Sequence, residues 1–364
     1  MRLKKPNLWY KLNQFVSSHP KASAVLSCCM VILGIGAAGA GYSLQAQPTT
    51  QIQPQAKAQT VQTAQDGTKT FYSPLTGKQV PDEATTKRQV TAIMLENSPD
   101  SRPQSGLKAS GVVFEAIAEG GITRFLTLRQ EDRSGLIGPV RSLRPYYIDW
   151  LAPFDASVAH VGGSANALGE IRNGSYKDID QFFAGSFYWR ATDRYAPHNV
   201  YTNSDKLDAL NASKGFTSST FNGFVRKQDS PSATPNATQI SVTVSGPTYN
   251  SAYSYDAPSN SYIRSQAGKP HTDRETGQIA PKTVIVMRVP VQIGYEDGYR
   301  EQMSTLGHNQ AYIFQDGIVT DGFWRKDSKK DQIKFYDKAG VAVALNPGQT
   351  WITIVAPDKA VSWR

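Results

Sequence analysis

The chain has 364 residues, a formal net charge of +9 and 39% hydrophobic residues, a length that predicts two folded domains with attachments. Five of the nine charges lie within residues 1–21, which carry no acid, and one more lies within 45–70, leaving three for everything from Phe71 onward. That distribution argues against nucleic acid as a partner of the body. The two cysteines, Cys28 and Cys29, precede it, which excludes disulfides, thiolate metal sites and a cysteine nucleophile from residues 71–364.

Residues 1–21 read as a basic cytoplasmic tail. Residues 22–44 (ASAVLSCCMVILGIGAAGAGYSL) hold no charge, and as a helix they would run about 34 Å, enough to cross a bilayer core. Lysine before the segment and none directly after it predicts a single-pass cell-membrane protein, N-terminus cytoplasmic and body extracytoplasmic. Two other readings stand beside the anchor: signal-peptidase cleavage at Ala38-Gly39-Ala40, and lipidation at Cys28 after Val25-Leu26-Ser27. All three export the body. Residues 45–70 are mostly Gln, Thr and Ala, a composition too poor in apolar surface to offset ordering entropy, and read as a flexible linker.

Residues 71–225 predict a mixed α/β domain. Val90–Leu95 is an apolar run suited to a buried strand. Val112–Ala118 and Ile122–Leu128 are strands joined at Glu119-Gly120-Gly121 in a tight hairpin. A helix follows from Pro145, then the strand Ala156–Val161, the turn Gly162-Gly163-Ser164 and a second helix from Ala165. A third helix starts at Asn203-Ser204-Asp205, where short polar side chains cap it. The polar, proline-containing residues 226–240 form a linker. In 241–364 helix signals nearly vanish; Asp316-Gly317 marks a hairpin, and Gln332–Tyr336, Val341–Leu345 and Trp351–Val355 predict an antiparallel meander. The fold class is α+β: a mixed α/β N-terminal domain, then a mostly antiparallel β domain, preceded by one transmembrane helix.

The residues that carry chemistry stand at turns and element ends. Arg141 and Arg144 precede the helix Pro145–Ala152, where the backbone is already electropositive, so they need an anion nearby. Glu115 and Glu119 across the hairpin are one supplier; an envelope ligand is another. Arg102, Arg124, Arg190, Arg194, His198 and Asn199 join the candidate set, with His160 and the glycine-rich turn Gly162, Gly163 and Ser164, whose free N–H groups suit an anion. The second domain offers His271 and Asp273, read as a loop histidine held by Asp273. Catalytic templates fail: Gly162–Asn166 lacks the last glycine of a nucleophile elbow, and carboxylates among arginines stay ionised, which makes poor general acids. No metal-ligand spacing and no cofactor motif are present, so no metal and no cofactor are expected.

The ordered motifs resemble one family. They are Arg102-Pro103-Gln104-Ser105-Gly106-Leu107, Glu119-Gly120-Gly121-Ile122-Thr123-Arg124, Gly138-Pro139-Val140-Arg141-Ser142, His160-Val161-Gly162-Gly163-Ser164, Trp189-Arg190 with Arg194, and Ala196-Pro197-His198-Asn199. Tyr262-Ile263-Arg264, Pro270-His271-Thr272-Asp273 and Asn346-Pro347-Gly348-Gln349-Thr350-Trp351 follow. Together they look like the YerB-like bacterial lipoprotein family, a two-part domain of unknown function. The resemblance implies a membrane-attached extracytoplasmic protein and carries no catalytic residue over. It departs at the front, where an anchor-like segment stands in place of a lipobox.

The expected function is a non-catalytic binding module with an arginine-rich anion site for a cell-wall component or partner envelope protein. Two alternatives remain: a cell-wall hydrolase or transferase using Glu115 or Glu119 with His160 or His198, and a structural spacer with every arginine paired internally.

Overall fold

The computed structural model describes residues 69–364 and, before them, the backbone strand Val61–Thr63 paired with Lys69–Tyr72. The predicted tail, the predicted membrane segment 22–44 and most of the predicted linker 45–70 lie outside the described residues. Among the described residues no helix is long and apolar enough to cross a membrane.

The predicted N-terminal elements form within a residue or two of their expected limits. They are strands β1 (Thr91–Glu96), β2 (Val112–Glu119) and β3 (Ile122–Arg129), helix α1 (Pro145–Leu151), strand β4 (Ser157–His160), helix α2 (Ala165–Asn173) and helix α3 (Ser204–Ser213); strand β5 (Lys177–Asp180), between α2 and α3, is not among the expected elements. The β2–β3 hairpin turns on Gly120 and Gly121, both at positive φ, the pattern that matches strand twist in a two-residue turn. Ser164 and Asn203 cap α2 and α3 with side-chain oxygens accepting from Ala167 and Lys206 backbone N–H groups, as short polar residues do at helix starts.

Strands from the C-terminal half are β6 (Thr283–Arg288), β7 (Gly307–Gln315), β8 (Ile318–Lys326), β9 (Lys334–Asp337) and β10 (Thr350–Val355). They continue the same sheet, in the order β9-β8-β7-β6-β10-β2-β3-β1-β4-β5. The expected hairpin at Asp316-Gly317 joins β7 to β8. The expected meander does not continue through β10. Val341–Leu345 makes only isolated bridges, and β10 crosses to the sheet centre, parallel to both β6 and β2. Its six residues are all buried, and a strand covered on both faces belongs inside a sheet.

Alternation along the strands feeds two cores. Ala92, Met94, Phe114 and Ala116 face α1 and its Tyr146, Tyr147 and Trp150. Ile93, Leu95, Val113 and Phe125 face a second, five-stranded antiparallel sheet that includes Gln239–Val242, Ser251–Asp256, Ser261–Gln266 and Val361–Trp363. The N-terminal region is therefore mixed α/β and the C-terminal region β-rich. Because β1 and β2 both run antiparallel to β3, and β4 and β5 run parallel to β1, these four strands share one direction. Glu96, Glu119, His160 and Asp180 all end them, at the carboxyl edge where open α/β sheets place their sites.

Candidate functional site

The sequence offers Glu115 and Glu119 as partners for both Arg141 and Arg144, and the structure divides the arginines differently. Arg144 reaches Glu119, Nε to Oε2 at 3.0 Å, and shares it with Arg124. Arg124 also donates to the Ser142 carbonyl at 3.1 Å, tying the hairpin to the segment before α1. Burial pushes the Glu119 carboxyl up, but Arg124 and Arg144 outweigh it and hold it below the ordinary 4.5. Arg141 pairs instead with Glu96, 3.3 Å away. The other Glu96 oxygen accepts from His198 at 2.8 Å and from Ser98 at 2.9 Å.

Glu115 points to the opposite face of β2 from Phe114 and meets the second sheet. Arg264 Nη2 lies 3.0 and 2.8 Å from its two oxygens, and Trp351 and Thr353 add donors at 3.0 and 3.2 Å. The Arg264 guanidinium also stacks 4.3 Å from the Trp351 ring and donates to His271 Nδ1. His271 is not held by Asp273, as its position in the loop suggested. Its Nε2 lies 3.2 Å from Gln104 Oε1, while Asp273 accepts from the backbone N–H groups of Glu275, Thr276 and Lys108. A short acid two residues away turns back on its own loop more readily than it reaches a buried ring.

Burial, with Arg264 and Arg102 nearby, holds the His271 imidazole well below its ordinary 6.5. A nitrogen-15 titration of labelled protein is expected to show this ring still neutral, with the proton on Nε2, at the ordinary imidazole value of 6.5. A charged ring at that pH would remove the Arg264–His271 hydrogen bond from the account.

Two of the three N–H groups of the glycine-rich turn, those of Gly162 and Ser164, are taken within the chain. Gly162 N–H donates to Asp180 at 3.0 Å, Ser164 N–H to the Leu143 carbonyl at 3.2 Å, and Asn166 N–H to Glu296 at 2.9 Å; Gly163 sits between them against Leu168. His160 is fully buried, 2.7 Å from the Gly162 carbonyl and 3.0 Å from Asp178. Arg190 donates to Asn199 at 2.8 Å, and Arg194 donates to the Asp100 and Pro103 carbonyls at 2.9 and 2.6 Å. Among the described residues neither Glu115 nor Glu119 hydrogen-bonds to His160 or His198. Among the described residues no group of three or more His, Cys, Asp and Glu side chains is arranged for a metal ion.

Beside these networks opens a cleft of about 590 Å³, between Pro99–Pro103 and the loops at 247–248 and 266–272. Arg102 is its polar floor. Its Nε and Nη2 donate to Asn97, at 3.0 Å to Oδ1 and 2.8 Å to the carbonyl, and its guanidinium lies 5.2 Å from the Tyr249 ring. Both acceptors are neutral, and Arg102 forms no ion pair among the described residues. Lys269 is the second cation of the lining, which holds no acid.

Sequence reasoning named Arg102 but missed Glu96, Gln104, Tyr249, Arg264, Gln266 and Lys269 as members of this region. One signal was available. Tyr262, Arg264 and Gln266 alternate along one strand and are buried together, so an arginine shares a strand face with a tyrosine that must face inward.

Two family models cover the body: "Protein of unknown function (DUF3048) N-terminal domain" over residues 75–217 and "Protein of unknown function (DUF3048) C-terminal domain" over residues 240–352. The chain is 33% identical over 303 residues to the Bacillus subtilis (strain 168) protein named "Putative lipoprotein YerB", covering 82% of this chain and 90% of that one. The crystal structure of the YerB protein from Bacillus subtilis matches it with a TM-score of 0.72 at 31% identity, over 80% of this chain and 99% of that one. With both halves of the body matched and most of a relative's length aligned, the chain belongs to the YerB family.

Proposed function

We propose that this is an extracytoplasmic envelope protein, attached to the membrane through its N-terminal segment, that binds rather than cuts. Its cleft receives an anionic group of a cell-wall component or a partner envelope protein. The observation that carries this reading is Arg102: a half-buried guanidinium with only neutral acceptors, facing a cleft whose other charged group is Lys269. A cation partly removed from water without a counter-ion is stabilised when an anion completes it. The name of the Bacillus subtilis relative, a lipoprotein, agrees with membrane attachment. The candidate acids support binding over hydrolysis, because Glu119 is spent on two arginines and Glu115 on Arg264.

The full chain in mild detergent is expected to bind purified wall fragments or inorganic phosphate in a salt-sensitive manner. Arg102→Gln together with Lys269→Gln is expected to weaken that binding at least tenfold. Equal binding by the double variant would remove the site. Soluble fragments released from wall material by the wild type, and lost in Glu119→Gln, would replace binding with hydrolysis.

A further inference from the structure

We infer that the cleft takes the free carboxyl end of a peptide, with Arg102 and Lys269 meeting the terminal carboxylate and Gln266 pairing with a backbone amide. This rests on the anion reading above and narrows it. Gln266 lines the cleft and is 4% exposed, yet neither its side-chain nitrogen nor its oxygen has a hydrogen-bond partner. Directly across the strand register stands Ser251, whose buried hydroxyl is also unbonded. Buried polar atoms are nearly always paired, so the two unbonded atoms of a cleft-lining amide, with a third on its cross-strand neighbour behind the lining, mark a place where polar groups are to be supplied.

The chemistry of Gln266 selects among anions. A primary amide presents donors on one side and an acceptor on the other, which complements the C=O and N–H of a peptide unit. Phosphate keeps an O–H group or two at neutral pH but offers no N–H and C=O pair spaced to match both sides of the amide. Arg102 and Lys269, with no acid in the lining, exclude an amine and favour a carboxylate. The remaining walls suit an uncharged backbone: Pro99, Pro103, Pro247 and Pro270 are apolar and bring no N–H of their own.

Calorimetry on the full chain in detergent, with N-acetyl-triglycine, its C-terminal amide and inorganic phosphate, tests this. The probe peptide is achiral, so handedness cannot mask binding. The free acid is expected to bind, and the amide to bind at least tenfold more weakly. Gln266→Met is expected to weaken the free acid about tenfold while leaving phosphate unchanged. Lys269→Gln, at an exposed position that cannot unfold the protein, should weaken the acid and leave the amide unchanged. N-acetyl-trialanine of D and of L configuration then separates wall peptides from protein C-termini as the source of such an end, and a preference for either upholds the inference.

Equal binding of acid and amide, or wild-type peptide binding by a folded Gln266→Met, overturns it. Binding of phosphate alone, lost in Arg102→Gln, removes the peptide and leaves the anion site standing. Absence of binding by every probe removes both.

Discussion

Replacing Glu115 by alanine is expected to lower the unfolding free energy by about 3–5 kcal/mol, measured by urea denaturation at neutral pH. Glu115 and Arg264 are both completely buried, and the carboxylate accepts from Arg264, Trp351 and Thr353 together. Removing it strands a guanidinium between the two sheets, where water cannot replace the lost partner. The size of the effect measures that stranded charge rather than the net worth of the pair. Glu115→Leu with Arg264→Met is therefore expected to recover most of the loss, because it leaves neither charge behind. A cost below about 1 kcal/mol for Glu115→Ala would mean that Arg264 finds another partner and that this pair does not join the sheets.

Glu119→Gln is expected to cost about 3 kcal/mol, since one carboxylate serves both Arg124 and Arg144, whose side chains are 4% and 3% exposed. Its pH dependence has a definite sign. The folded-state carboxyl titrates below the ordinary 4.5, so its contribution is complete above that value and is lost as pH falls through the folded value. Stability measured from about pH 7 to pH 3 should therefore fall more steeply in the wild type than in Glu119→Gln, with the two curves converging at the acid end. Parallel curves would show that Glu119 is not the titrating acid of this network.

The helix start that drew attention in the sequence resolves into two unlike arginines. Arg144 is internal to the fold and holds the hairpin against α1. Arg141 belongs to another group, with Glu96 and His198. The need for an anion was legible, because two cations beside free backbone N–H groups demand one. Which anion was not, because Glu96, Glu115 and Glu119 all lie on the two strands that flank β3. Choosing among them depends on the face each presents. The pairing register shifts between Ile117 and Glu119, and nothing in the residue pattern announces it. The cleft was illegible for a related reason. Arg102 and Gln266 lie 164 positions apart, and only the packing of the small sheet against the large one brings their loops to one opening.

Local chemistry alone fixed what short segments become. Apolar runs made the buried strands, Gly120-Gly121 and Asp316-Gly317 made the hairpins, and Ser164 and Asn203 started the helices, because each depends on dihedral preference and neighbouring hydrogen bonds. Composition alone also placed the excess positive charge ahead of the body and kept cysteine out of it. Tertiary structure decided the rest. It sent Trp351–Val355 from an expected meander into the sheet centre, gave Glu115 to Arg264, and left Arg102 at a cleft without a counter-ion among the described residues. These outcomes follow from long-range pairing, in which one strand's partners are chosen by burial on both faces and one buried charge by the geometry of every element around it.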